Sequence, residues 1–254
     1  MKRPLAVNFN QVTKIYRSPW TGRRVVALDD VTFSIKAGEV FGLIGPNRAG
    51  KTTLVKCLLS ICRPTRGEIN RLGRPWSVRG TLAQIGYVHE SPAFPRYLNA
   101  WQVMTGYGSL SGLTSARAKV RAAELLEQVG LADRSREPIA RFSKGMLQRL
   151  ALGQALINDP ELLVLDEPSE GMDLSARKLL HRIIREQQQR GQTVVLVSHA
   201  LADIELLCDR IAVLRDGRAV FVGPVTDLRH DSDLACAPEP LESVVRPLYE
   251  GACA

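Results

Sequence analysis

The chain has 254 residues, of which 45% are hydrophobic and 24% charged, and a formal net charge of +8. That length holds one large α/β domain or two smaller ones. No stretch approaches the roughly 18 apolar residues of a membrane-spanning helix, and Met1-Lys2-Arg3-Pro4 lacks the following apolar core of a signal peptide.

The five cysteines, at positions 57, 62, 208, 236 and 253, show no metal-ligand clustering. Cys57 and Cys208 sit in apolar surroundings and read as buried thiols of a reduced, cytoplasmic protein. The basic excess fits a solvated arginine-rich face, or attraction to anionic lipid headgroups at about 1 kcal/mol per basic group. Nucleic acid is not expected as a partner. The basic residues are scattered rather than interleaved with aromatics, and no base-reading motif occurs.

In chain order, residues 6–16 and 31–35 have strand character and suggest a small antiparallel β-subdomain. Residues 17–24 between them are polar and marked by Pro and Gly, as in a loop or hairpin tip. Val40-Phe41-Gly42-Leu43-Ile44 is a short apolar strand. It runs into Gly45-Pro46-Asn47-Arg48-Ala49-Gly50-Lys51-Thr52-Thr53, which has the form G-x-x-x-x-G-K-T. A glycine-bearing loop that opens a helix points unpaired backbone N–H groups at one spot, and the helix dipole adds positive charge there. Lys51 can reach the β- and γ-phosphates of a nucleotide, and the Thr52 hydroxyl can ligate Mg²⁺.

Residues 91–159 turn helical in pattern. Ala122, Leu125, Leu126 and Val129 keep i, i+3, i+4, i+7 spacing, and Gly130 marks the stop. Within this region Ser143 is a good N-cap, and Gly145 permits close backbone approach at a helix start. The run Glu161-Leu162-Leu163-Val164-Leu165 suits a strand buried on both faces of a parallel sheet, and it ends in Asp166-Glu167. Asp166 can hold Mg²⁺, and Glu167 is placed to activate a water. Ala176, Leu179, Leu180, Ile183 and Ile184 predict a crossover helix ending at Gly191. That helix leads to the apolar run Val194-Val195-Leu196-Val197, followed by Ser198-His199, and implies a parallel sheet. Residues 210–222, with Asp216-Gly217 between two apolar runs, read as a hairpin. A Pro-bearing tail, about 224–254, ends in an amphipathic stretch at 241–249.

Arg141-Phe142-Ser143-Lys144-Gly145-Met146 stands 23 positions before Asp166, counted from Ser143. Here the chain resembles the ATP-binding cassette (ABC) family, whose signature is Leu-Ser-Gly-Gly-Gln or variants such as Phe-Ser-Lys-Gly-Met. The resemblance runs from about Leu5 to Tyr249. It implies a P-loop NTPase core with a mainly parallel sheet, an N-terminal antiparallel β-subdomain over the adenine, and a helical signature subdomain at about 91–159. It implies a single ABC ATPase domain over residues 1–254.

The same resemblance assigns roles. Ser143 and Gly145 would cap the γ-phosphate held by a second cassette. Tyr16 would stack on adenine, and His199 would hold the attacking water and Glu167. Glu170-Gly171-Met172-Asp173 occupies the D-loop, and Ile85 to Glu90 the Q-loop. Glu90 stands where glutamine is usual and still offers an oxygen to Mg²⁺. Arg48 stands where glycine is usual and Glu170 where serine is usual. Both face the partner cassette in the family, so an ion pair between them across a dimer is one reading; an Arg48 pointing to solvent is the other.

The expected function is ATP binding and hydrolysis by a subunit that forms a homo- or heterodimer and powers a separate membrane permease. The expected site is peripheral, on the inner face of the cell membrane. Glu90 and the signature variant resemble export-type cassettes. The region from Glu90 to Tyr107, with Phe94, Tyr97, Trp101, Val103 and Tyr107, is the expected permease-docking surface. The alternatives are a soluble cassette acting on nucleic acid or the ribosome, and a low-turnover ATP sensor.

Overall fold

The computed structural model describes residues 4–17, 22–227 and 241–250. Positions 18–21, at the expected hairpin tip, lie outside the described residues, as do Cys236 and Cys253. Two sheets form the frame. The smaller is antiparallel, in the order β2-β1-β4-β5, built from β1 (Leu5–Arg17), β2 (Arg24–Lys36), β4 (Arg66–Arg71) and β5 (Arg74–Pro75). The larger has six strands in the order β10-β9-β3-β8-β7-β6. Its members are β3 (Val40–Ile44), β6 (Ile85–Val88), β7 (Leu162–Asp166), β8 (Thr193–Val197), β9 (Arg210–Arg215) and β10 (Arg218–Pro224). Five of these strands run parallel, and β10 pairs antiparallel to β9.

The apolar runs of the large sheet are explained by its two covered faces. On β7, Leu163 and Leu165 enter the core shared with the helices, while Leu162 and Val164 enter the core against the small sheet. Every residue of β3, β7 and β8 is buried. A strand wet on one face would alternate polar and apolar residues instead. The inter-sheet core holds α1 (Lys51–Leu58) through Leu54, Val55 and Leu58. It also holds Phe33 stacked on Phe41, with ring centroids 5.5 Å apart.

The other face carries α2 (Ala100–Leu110), α3 (Ser115–Gln128), α4 (Lys144–Ala155), α5 (Leu174–Gln189), α6 (Leu201–Leu207) and α7 (Leu241–Glu250). Helix α5 connects parallel β7 and β8, the crossover that its i, i+3, i+4 pattern predicts. Asn99 caps α2 and Thr114 caps α3.

Two expectations need correction. The second strand is not confined to 31–35: β2 starts at Arg24, and Arg17 pairs with Arg24. Val25 and Val26 there are exposed, so this half of the strand has no inward alternation to announce it. Residues 91–99 are not helical; α2 starts only after the Asn99 cap, beyond Pro92 and Pro95. Cys57 and Cys208 do carry buried thiols as expected; burial raises the pKa of both, and only part of the Cys208 residue reaches the surface. Strands β4 and β5 went unseen because their sequences, Arg-Gly-Glu-Ile-Asn-Arg and Arg-Pro, are polar.

That polar segment carries an unusual core residue. Arg71 is fully buried, and among the described residues no carboxylate pairs with it. Its guanidinium donates to the hydroxyls of Thr81 (2.6 Å) and Ser60 (2.8 Å) and to the carbonyls of Leu58, Trp76 (2.8 Å) and Val78 (3.3 Å). The Leu58 carbonyl is one of the unpaired acceptors at the C-terminal end of α1, where the helix dipole favours a cation. Arg71 thus ties the loop after β4 to the helix that starts at the nucleotide loop.

Candidate nucleotide site

The loop between β3 and α1 is set by two glycines. Gly45 has φ 152°, and a Cβ there would lie 2.2 Å from the Leu214 carbonyl oxygen. Gly50, the N-cap of α1, has φ 106°, and a Cβ would lie 2.5 Å from the Ala27 carbonyl oxygen. Neither position admits a side chain. Arg48 between them has φ 68°, a left-handed conformation that side chains seldom adopt. Lys51 folds back over the loop and donates to the carbonyls of Gly45 (2.6 Å) and Pro46 (3.0 Å). Burial lowers its pKa; the charges of Glu167, Asp166 and Glu90 pull the other way.

A cleft of about 530 Å³ opens over this loop. Asn47, Arg48, Ala49, Gly50, Lys51, Thr52 and Thr53 form its floor. Asp166 and Glu167 enter from the end of β7, His199 from the end of β8, Glu90 from the segment after β6, and Glu170 from the turn before α5. Parallel strands carry their C-terminal ends to one edge, and this is what gathers groups up to about 150 positions apart in sequence.

Asp166 is buried, and its Oδ2 has no hydrogen-bond partner among the described residues. Burial, then the charges of Glu167 and Glu90, raise its pKa to about 6. Glu167 has φ 49°, held by its N–H donating to the Val197 carbonyl at 2.9 Å. Its Oε2 lies 2.7 Å from His199 Nδ1 and accepts from the His199 N–H at 3.3 Å. A carboxylate only accepts, so the Nδ1 that faces it carries a proton.

Some residues chosen from the sequence lie outside the cleft. Tyr16 is 40% exposed on β1, and its hydroxyl is 3.8 Å from Cys62 Sγ. Val25, Val26 and Ala27 of β2 line the cleft instead. The one signal for them was the apolar Val25-Val26-Ala27 within an otherwise polar stretch. Ser143 and Gly145 start α4 away from the cleft, with Ser143 capping the helix by accepting from the Met146 N–H at 3.2 Å. A link between the two regions does exist: Gln148 of α4 donates to the Glu90 carbonyl at 2.9 Å. Glu170 is bound within its own chain, to Lys144 at 2.7 Å. This gives Glu170 a partner that the cross-dimer reading with Arg48 did not include.

The profile of the family described as "ABC transporter" matches residues 28–170, more than half of the chain. The chain belongs to the ABC transporter family. It is 41% identical over 228 residues to an uncharacterized ABC transporter ATP-binding protein of Nostoc sp. PCC 7120, an alignment covering 89% of this chain and 68% of that one. It is 38% identical to the linearmycin resistance ATP-binding protein LnrL of Bacillus subtilis, over 78% of this chain and 64% of that one. It is 37% identical to the Nod factor export ATP-binding protein I of Rhizobium johnstonii, over 87% and 70%. The chain thus spans about two thirds of the length of these relatives.

Among solved structures, the ATP-binding subunit of an ABC transporter superposes with a TM-score of 0.83 at 29% identity, covering 96% of this chain and 99% of that one. A dimeric cassette in a post-hydrolysis state, bound to ADP and phosphate, shares the fold at a TM-score of 0.79 and 24% identity. As an ABC ATPase, the chain has the family's α/β cassette fold, with a mixed sheet and an antiparallel N-terminal sheet. No helix among the described residues is long and apolar enough to cross a membrane.

Proposed function

We propose that this chain is the ATP-hydrolysing subunit of an exporter. It dimerises, holds ATP at the dimer interface and powers a separate permease from the inner face of the cell membrane. The observation that carries this reading is the meeting of Lys51, Thr52, Asp166, Glu167 and His199 in one cleft.

On binding, Lys51 exchanges the Gly45 and Pro46 carbonyls for the β- and γ-phosphates, and the N–H groups from Asn47 to Thr53 take the remaining oxygens. The buried, unpartnered Asp166 Oδ2, with the Thr52 hydroxyl and Glu90 in the same cleft, fits a hard cation such as Mg²⁺. When bound, the metal neutralises phosphate charge. Glu167 takes the proton of the attacking water. His199, bonded to Glu167 through Nδ1, fixes that carboxylate's direction and offers Nε2 beside it. Tyr16 and the Val25–Ala27 edge would meet the base. Ser143 and Gly145 lie outside the cleft, which supports their serving the site of a second subunit.

The relatives named for Nod factor export and linearmycin resistance support the export direction. The docking surface is narrower than residue composition suggests. Val103 is buried at 3%, and Phe94 and Tyr107 pack edge to face on the helical core at 6.5 Å. Trp101 is stacked under Arg136, 4.6 Å from its ring. Tyr97, 83% exposed, is the aromatic left to a partner.

Purification of the tagged chain from membranes tests the reading. An integral membrane protein should co-purify, and ATPase activity should depend on Lys51. Tyr97→Ala should release that protein with ATPase intact. A fully active chain recovered without a membrane partner, or co-purifying with ribosomes, overturns the proposal.

A further inference from the structure

The C-terminal end of α1 holds two thiols against each other. Cys57 Sγ and Cys62 Sγ lie 3.3 Å apart, and a disulfide needs about 2.05 Å, so the gap is little more than an ångström. The turn between them is fixed from outside. Arg71 donates to the Leu58 carbonyl and to the Ser60 hydroxyl, Ser60 adopts a left-handed φ of 56°, and the Cys62 N–H returns to the Lys56 carbonyl at 3.2 Å. These bonds fold Cys62 back onto Cys57, so the two sulfurs meet without a search.

The sulfurs differ in access. Cys57 is fully buried, and burial, then the neighbouring Cys62, pushes its thiol up to about 12. Cys62 is half-buried on the inter-sheet core, so a small solute reaches it first. Cys62 also touches the residue assigned to the base: the Tyr16 hydroxyl donates to its Sγ at 3.8 Å, and Lys14 Nζ lies over the Tyr16 ring, 4.9 Å from its centroid.

We propose that Cys57 and Cys62 form an oxidation site for peroxides, closing to a disulfide that draws Cys62 away from Tyr16 and weakens nucleotide binding. The effect on nucleotide rests on the proposed function above; the disulfide does not. The Cys62 thiolate attacks one peroxide oxygen: an S–O bond forms, the O–O bond breaks, and the hydroxide that leaves takes up the thiol proton as water. The Cys57 sulfur then attacks the sulfenic sulfur of Cys62. The S–S bond forms, the S–O bond breaks, and the Cys57 proton leaves with that oxygen as a second water. The sulfurs give up two electrons and the peroxide takes them. A thiol such as glutathione returns both cysteines by exchange.

Trypsin releases residues 57–66 as one peptide carrying both cysteines, because Pro64 protects the bond after Arg63. After treatment of the native chain with hydrogen peroxide, that peptide should be lighter by two hydrogens and regain its mass on reduction. Cys57→Ala should stop at the Cys62 sulfenic acid, captured by dimedone. The oxidised native chain should bind Mg-ATP about three- to tenfold more weakly by calorimetry, within the worth of one base–aromatic stack, and Tyr16→Ala should show no such loss on oxidation. An unchanged peptide, a bond from Cys62 to another cysteine, or Cys62 carried on to the sulfinic acid overturns the paired site. A reversible disulfide with unchanged Mg-ATP affinity overturns the tie to Tyr16. Lys51→Ala separates the two layers: if it binds Mg-ATP normally, the nucleotide reading fails, while the peptide mass still decides the disulfide.

Discussion

Glu167 and His199 form a closed pair: the carboxylate oxygen Oε2 meets both the ring Nδ1, at 2.7 Å, and the backbone N–H, at 3.3 Å, of the same histidine. Two bonds to one oxygen fix its direction, and the left-handed Glu167 backbone that allows them is itself tied to β8 through Val197. Left-handed backbone at such a residue is retained only where surrounding bonds over-determine it. In the proposed reaction, Oε1 is the oxygen that would receive the proton.

Glu167→Gln should therefore keep the fold, the His199 contact and nucleotide binding, because the amide oxygen still accepts. It cannot take a proton, so hydrolysis should fall by about 10²–10⁴-fold. An ATP-bound dimer should then accumulate on size-exclusion chromatography with Mg-ATP. Wild-type turnover in this variant would place the base elsewhere.

Asp166 gives a pH dependence with a definite sign. Its pKa is about 6 in the folded protein, against an ordinary 3.8. The folded state thus binds this proton more tightly than the unfolded chain does. Between those two values each rise in pH favours unfolding, and above about 6 the full penalty is present. A shift of this size corresponds to roughly 3 kcal/mol. Asp166→Asn removes the ionisation. In metal-free solution it should be more stable than the parent at pH 8 by an amount of that order, and the advantage should fade toward pH 4. Equal stabilities at pH 8 by urea denaturation would mean that the buried carboxylate is not strained.

The cleft floor and the two carboxylates were legible because their chemistry fixes residue type and spacing together. Gly45, Gly50 and Lys51 cannot be exchanged without losing the loop's shape or its cation, so the pattern survives in the sequence. Val25–Ala27 left little trace, since any small apolar edge serves there and exposed strand residues carry no period. Helix α7 was legible only as an amphipathic stretch, because nothing local says that it packs against α6 and the end of β9. Arg71 reads as a surface charge in a polar segment. Its burial depends on three acceptors beyond β5, from Trp76, Val78 and Thr81, and two at the end of α1, from Leu58 and Ser60, a coincidence of tertiary structure.

Arg71→Met should be among the more damaging substitutions outside the cleft. The side chain volume is nearly kept, but the buried Leu58 carbonyl loses its donor, while the carbonyls of Trp76 and Val78 keep the Ser60 and Thr81 hydroxyls. An unsatisfied buried acceptor costs about 1–3 kcal/mol, and a loss of that order is expected. Chemical denaturation should show a lower midpoint with an unchanged m-value. Arg71→Lys should recover part of the loss, since one ammonium reaches fewer acceptors. A midpoint within error of the parent for Arg71→Met would show that the guanidinium bonds contribute no net stability.

Arg48 and Glu170 line the same cleft, and both replace the family's usual small residues, but Glu170 is already engaged by Lys144 at 2.7 Å. That pair is exposed, and such pairs contribute about 0–1 kcal/mol. It is nonetheless local and needs no second subunit. An Arg48 of one subunit would have to displace Lys144 to reach Glu170 of another. The cycle of Arg48→Gly and Glu170→Ser should accordingly be additive in dimer affinity, with coupling below about 0.5 kcal/mol. Arg48→Gly alone should weaken ATP binding several-fold, because a guanidinium in the cleft strengthens the ground state, and leave kcat equal or higher. Its stability should change little. Relief of the left-handed backbone, roughly 1–2 kcal/mol, is largely offset by the extra freedom of glycine in the unfolded chain, about 0.5–1 kcal/mol. Coupling well above the additive limit, abolished by Lys144→Ala, would instead mean that the three residues share one charge network across the dimer.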